Sequence, residues 1–259
     1  MVKKIILGIL GVIIVLILVV IILIAIFEPK NSKAMDSAIN STVSLISDKY
    51  NVNEVSTGEF EKITVYGIMK FHVKQYDVEN YGNLCVMKVN MGLMQMSTIV
   101  LTPENKNLPL VSTDYMYILG KRTSYVELFD LVENKDDDYM ALMNKIKDIR
   151  LSYDSLTDVT PSAAWYDELR TESIYKSGTT DDDDAMEKML LESVEAVLDA
   201  ESQLPELDDA QKLAKKKLTK QYSDNLIDKG GVSTDTFKKS MGTDKTREFF
   251  DKVFFGTEE

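Results

Sequence analysis

The sequence predicts an α+β fold, an antiparallel sheet covered by helices, carried behind one membrane-spanning helix. Three observations predict it. Residues 5–27 form an unbroken apolar run. Residues 62–132 alternate apolar and polar side chains with the period of strands. From residue 138 onward the apolar positions recur at helical spacing. Strands grouped mid-chain, with helices before and after, fit a sheet with segregated helices better than alternating βαβ units.

The apolar run is mostly Ile, Val and Leu, broken only by Gly8, Gly11 and Ala25. A helix needs about 20 such residues to cross a hydrocarbon core of roughly 30 Å. A cleavable signal has a shorter apolar stretch and a small-x-small cleavage site. Here the run ends in Ile26-Phe27-Glu28-Pro29, so it reads as a permanent anchor. Lys3 and Lys4 before it nearly balance Lys30 and Lys33 after it. The short N-terminal tail then places the large domain outside the cytoplasm. Cys85 stands alone and forms no internal disulfide.

The elements follow in order. Glu28 to Lys33 reads as a polar linker containing Pro29. Met35, Ile39, Val43 and Ile46 mark one face of an amphipathic helix ending near Tyr50. Pairs at Ile63/Val65, Phe71/Val73, Leu84/Val86 and Ile99/Leu101 mark strands, with a turn at Glu79 to Asn83. Tyr115 to Leu119 and Ser124 to Val132 make two more, joined by a hairpin at Gly120-Lys121-Arg122. Asp138 to Leu151 is helical, Ser173 to Lys176 is a short strand, and a strong helix follows Asp181 to Asp184 and stops near Pro205. The last helices span about 208–228 and 234–255, interrupted by Gly230-Gly231 and Gly242. The predicted organisation is an anchor over 1–27, a linker and amphipathic helix over 28–57, and the main domain over 58–259.

Composition excludes several functions. Setting Lys3 and Lys4 apart takes the net charge from −12 to −14. Such a domain is repelled by nucleic-acid phosphate and by anionic headgroups, so it is expected to stand off the bilayer on its linker. One Cys and one His exclude zinc clusters and bis-histidine haem. GxGxxG, GxxxxGK[ST] and GxSxG are absent. No metal site is expected. Asp181 to Asp184 lack the spacing of an EF-hand loop and read as a helix start favouring negative charge. His72, between Phe71 and Val73, reads as an exposed strand residue. Met87, Met91, Met94 and Met96 read as core, or as a flexible wall for a large planar ligand.

Four stretches carry a family resemblance. Glu61-Lys62 opens the first. Ser97-Thr98-Ile99-Val100-Leu101-Thr102-Pro103 is followed by Leu108-Pro109 and Asp114. Trp165, Ser173-Ile174-Tyr175 and the acidic helix start from Asp181 to Glu187 form the third. Phe237-Lys238-Lys239-Ser240-Met241-Gly242, Phe250 and Val253-Phe254-Phe255 close it. Over residues 58–256 this order resembles the ferredoxin-dependent bilin reductases, including phycocyanobilin:ferredoxin oxidoreductase, and the red chlorophyll catabolite reductases. The resemblance implies a three-layer α/β/α sandwich with a central antiparallel sheet. It places a linear tetrapyrrole between the sheet and the C-terminal helices, with no tightly bound cofactor and with ferredoxin or another one-electron donor as partner. It assigns proton donation to Asp114. The family's catalytic His position holds Thr98, and its Glu position, near Met87-Lys88, holds no carboxylate. Asp228-Lys229 stands where the family meets the substrate propionates. Lys212, Lys215, Lys216, Lys217 and Lys220 read as a solvated helix face, or as a surface for propionates or an acidic ferredoxin.

Two functions follow as expectations. One is a membrane-anchored protein that binds a linear tetrapyrrole and reduces it. The other is a non-catalytic extracytoplasmic binding or envelope protein on the same fold.

Overall fold

Alternating burial along residues 62–129 builds a single antiparallel sheet in a computed structural model that describes residues 2–258, with side chains from 9 onward except that of 232. The side chains of Lys3, Lys4 and residues 5–8 therefore lie outside the described set. The strands are β1 (Val52–Val55), β2 (Lys62–Val65), β3 (Met69–Val78), β4 (Gly82–Asn90), β5 (Met94–Pro103), β6 (Leu110–Ile118), β7 (Lys121–Phe129), β8 (Thr157–Asp158) and β9 (Ser173–Thr179). Their order is β1-β3-β4-β5-β6-β7-β9-β8, with β2 on the same edge of β3 as β1. All pairings are antiparallel.

The helices are α1 (Val2–Ser47), α2 (Asp137–Ser152), α3 (Asp183–Gln203), α4 (Asp209–Lys229), α5 (Val232–Met241) and α6 (Thr243–Phe249), closed by a π-helical turn over Phe250–Phe254. Their apolar stripes divide between the faces of the sheet. Met35, Ala38 and Ile46 of α1 pack with Ile146 of α2, Leu190 and Val197 of α3 and the Leu84, Ile99, Tyr115 and Val126 side chains of the strands. On the other face Tyr222 and Leu226 of α4, Phe237 of α5 and Phe249 of α6 cover Phe71, Val73, Met87 and Val100. The result is the expected α/β/α sandwich, α+β in class.

One expectation needs correcting. Residues 28–33 are not a linker, because α1 runs unbroken through Pro29 from Val2 to Ser47. Proline inside a helix removes one hydrogen bond and crowds the preceding turn. Contacts to the sheet offset that loss here. The Asn31 amide donates to Gln95 Oε1 at 2.8 Å and to the Leu119 carbonyl at 3.1 Å. Asn90 donates to Glu28 at 2.6 Å, and Lys88 pairs with Asp36 at 2.8 Å. The amphipathic segment is thus part of the domain's first helical layer, joined to the apolar run by continuous helix. Residues 9–22 of the same helix are apolar and exposed, and the helix is long and apolar enough to cross a membrane.

Two strands were not foreseen. β1 presents mostly exposed residues and β8 has only two. The hairpin after β6 turns on Leu119-Gly120, one residue earlier than expected, with Leu119 at φ 53°. A leucine rarely adopts this left-handed backbone. The Asn31 bond to its carbonyl and the Leu119 N–H bond to Leu93 O at 3.1 Å hold it there.

Candidate functional site

Side chains alternate across a strand, so Thr98 of β5, Asp114 of β6 and Glu127 of β7 all face the C-terminal helices. Register sets Thr98 directly opposite Asp114, and Asp114 opposite Tyr125. The Thr98 hydroxyl donates to Asp114 Oδ1 at 2.5 Å. Thr98 is buried and Asp114 half-buried. Protein crowds the Asp114 carboxyl, although the residue as a whole is only half-buried. Burial pushes its pKa up to about 6; the Thr98 bond opposes that rise and the charge of Glu127 adds to it.

Glu127 was not singled out in the sequence. Burial raises its pKa, and an ion pair with Arg170 opposes the rise. Tyr175 also donates to its Oε1 at 3.0 Å. Arg170 lies 5.3 Å from the Tyr166 ring and 5.7 Å from that of Tyr175, in cation–π range. The available signal was a carboxylate in the middle of the apolar strand Tyr125-Val126-Glu127-Leu128, where an unpaired charge would be costly. Its partner could not be read, because Arg170 arrives on a connection more than forty residues away.

An aromatic wall rises beside this group. Phe129 and Tyr222 have ring centres 4.8 Å apart, and Trp165 lies 5.3 Å from Tyr166 and 5.9 Å from Tyr222. The Trp165 indole donates to Gly230 O at 2.8 Å, and Lys229 sits 4.7 Å above its ring. Asp228 faces away, paired with Arg247 at 3.1 Å. Thr98 and Asp114 are therefore brought together, Lys229 joins the aromatic wall, and Asp228 joins neither.

The remaining candidates settle elsewhere. Met87 is core, at 2% exposure, whereas Met94 and Met96 are half-buried and Met91 is exposed at a hairpin tip. His72 is exposed. Among the described residues no group of three or more acidic, His or Cys side chains could hold a metal ion. Asp183 instead forms a two-bond pair with fully buried Arg122, at 2.5 and 3.0 Å. The lysine cluster is solvated only in part. Lys216 and Lys217 are exposed, Lys220 pairs with Asp224 and Asp251, and Lys215 points inward to the Leu108 and Leu131 carbonyls at 2.6 and 3.0 Å. Burial lowers the Lys215 pKa to about 7.

Concavities also lie away from this face. One of about 530 Å³ opens between Thr57, Asn83 and Lys252, and one of about 260 Å³ between Leu108, Leu142 and Ala200. Neither contains Asp114, and neither gathers an aromatic wall with a titrating carboxyl.

No family model matches the chain, and no curated protein matches it. Among solved structures it is similar to phytochromobilin synthase from tomato in complex with biliverdin. The TM-score is 0.64 at 11% identity, covering 87% of this chain and 83% of that one. The fold is therefore that of a bilin reductase.

Proposed function

We propose that this protein is a membrane-anchored binder of a linear tetrapyrrole and that Asp114 protonates the bound ligand when electrons reach it. The observation that carries the reading is Asp114 itself: a half-buried residue on the sheet, its carboxyl pKa pushed up by burial to about 6, between the Thr98 hydroxyl and an aromatic wall. The likeness to a protein solved with biliverdin supports the ligand class.

Each pair of electrons delivered to a bilin must be matched by two protons. A carboxylic acid with a pKa near 6 stays partly protonated near neutrality and gives up its proton readily. Thr98 orients the carboxyl and stabilises its ionised form after transfer. Lys229, beside Trp165, is suited to a propionate. Asp228 is not, because its negative charge would repel one and Arg247 already holds it. A ferredoxin or another one-electron donor would supply the electrons.

A second reading is a non-catalytic binder on the outer side of the membrane. The geometry at two family positions favours it. Thr98 is a hydroxyl where the family has His, and Met87, near the family's Glu position, is core. An outward-facing domain also does not meet cytoplasmic ferredoxin.

The test is to titrate the detergent-solubilised full chain with biliverdin and record absorbance, then add a strong one-electron donor. Binding followed by bleaching or a shift supports the reductase. Binding without reduction leaves the binder, and no spectral change with any bilin removes both. Protease added to intact cells tests the orientation: the domain should be digested, and full protection would place it in the cytoplasm.

A further inference from the structure

We propose that one rim of the sheet, made of the hairpin tips at residues 66–68, 91–93 and 118–120, seats in the headgroup region of the bilayer that α1 crosses. This rests on the reading of α1 as a membrane anchor. The antiparallel register brings the tips together. Met69 opens β3, Asn90 ends β4, Met94 opens β5, Ile118 ends β6 and Lys121 opens β7, so these tips all lie at one end of the sheet.

That end is apolar where a free surface would be polar. Tyr66 is 58% exposed, Ile68 77%, Met91 36% and Ile118 47%. The connections at the opposite end read Glu79-Asn80, Glu104-Asn105-Lys106-Asn107 and Glu133-Asn134-Lys135-Asp136. One end of a sheet carrying large apolar tips, and the other carrying none exposed, marks a partner for the first.

The helix identifies the partner. Ile24 closes over Gly92 and Phe27 over Gly120, so that an added Cβ would come within 3.2 and 3.1 Å of them. Asn31 then bonds the Leu119 carbonyl at 3.1 Å. The tips therefore stand level with the end of the apolar run, the depth at which a spanning helix leaves the hydrocarbon. Tyr favours that interface, and Lys70 and Lys121, exposed just behind two of the tips, are placed to reach headgroup phosphates. Because α1 is continuous, the rim cannot drift away from this level. The acidic turn at residues 181–184 lies at this same end, the neighbouring Thr180 N–H bonded to Gly120 O at 3.2 Å, so the contact is carried by the apolar tips and the exposed lysines beside them and not by the net charge.

The test uses the full chain in liposomes whose acyl chains carry bromine, a contact quencher. Single variants Ile17→Cys, Ile68→Cys, Ile118→Cys and Glu133→Cys are labelled with a polarity-sensitive fluorophore; native Cys85 is fully buried and serves as the unlabelled background. Blue-shifted, quenched emission at 17, 68 and 118, with none at 133, is the expected result. Quenching at 17 alone overturns the seating of the rim and leaves the anchor intact. No quenching at 17 removes the anchor, and this inference with it.

Discussion

Strands β6 and β7 present opposite chemistry on their two faces. Toward the first helical layer, Tyr115, Tyr117, Val126 and Leu128 are at most 4% exposed. Toward the C-terminal helices, Asp114, Met116, Tyr125 and Glu127 are only half-buried. The alternation is the same, so the difference comes from what lies above each face. On the closed face the charge is locked in a pair, Arg122 with Asp183, over the Tyr117 ring at 4.9 Å. On the open face burial leaves a carboxyl still able to titrate. Both faces carry a buried core, and the titratable carboxyl lies on the more open one.

The sharpest way to break this contrast is Arg122→Ala. Removing one partner of a buried pair costs about 3–5 kcal/mol, and the partial exposure of Asp183 favours the lower end. Urea unfolding of the part from residue 28 onward should show the loss, and that part should unfold in one cooperative transition. A loss under about 1 kcal/mol, the range of surface pairs, would mean that the closed face does not hold its charge as described.

Asp114→Asn tests the open face. It keeps size and removes the titrating proton. Bilin binding should be nearly unchanged while reduction slows by roughly a hundredfold or more. The wild-type rate should fall as pH rises through about 6, because the protonated acid is the donor. Asp114 also contributes a pH-dependent stability. Its folded pKa is raised from 3.8 to about 6, so the folded state holds the proton more tightly than the unfolded chain, and stability falls as pH rises between those values. The Asn variant should lose that slope in pH-dependent melts. An unaltered rate profile would remove Asp114 from the chemistry.

Lys215 sharpens the comparison from the helix side. Its folded pKa is lowered from 10.5 to about 7, so between these values the unfolded chain takes up a proton and the folded state does not. Its contribution therefore makes stability rise with pH from about 7 to 10.5. Lys215→Met should flatten that rise relative to wild type in thermal melts, while stranding the two carbonyls that Lys215 serves. Parallel curves for the two proteins would show that the amine is charged throughout.

The smallest effect is expected at Lys229→Ala. The side chain is exposed, so its loss should weaken bilin binding only a few-fold, by about 1 kcal/mol or less, with the reduction rate of bound ligand unchanged. Absorbance titration measures it, and identical affinity would remove Lys229 from the site.

The strands from β2 to β7 were legible because each buries alternate residues. β1 and β8 were not, because they bury no full face; side-chain ties to the sheet, such as Glu54 with Lys74 and Asp158 with Lys176, leave no periodic pattern in the sequence. The linker was misread for a related reason. Glu28, Pro29 and Asn31 look like a break in sequence, but Asn31 and Glu28 are polar because they reach sheet residues about sixty positions away. Inward-turned Lys215 was hidden in a run of lysines whose neighbours are solvated. At the site, the adjacency of Thr98 and Asp114 follows from strand register, whereas the ion pair of Glu127 and Arg170 depends on a connection whose path no local pattern records.

The passage of α1 through Pro29 without a break gives the molecule a shaft and no joint. Forty-six helical residues span roughly 70 Å, and the last part is mortared into the sheet. A tethered domain samples a cone of orientations and averages them. With α1 spanning a bilayer, as proposed, any lean of the shaft would become an equal lean of the sheet. In that setting the lipid would dictate the pitch and leave the azimuth free. The aromatic wall is thereby held at one fixed distance from the apolar run of α1.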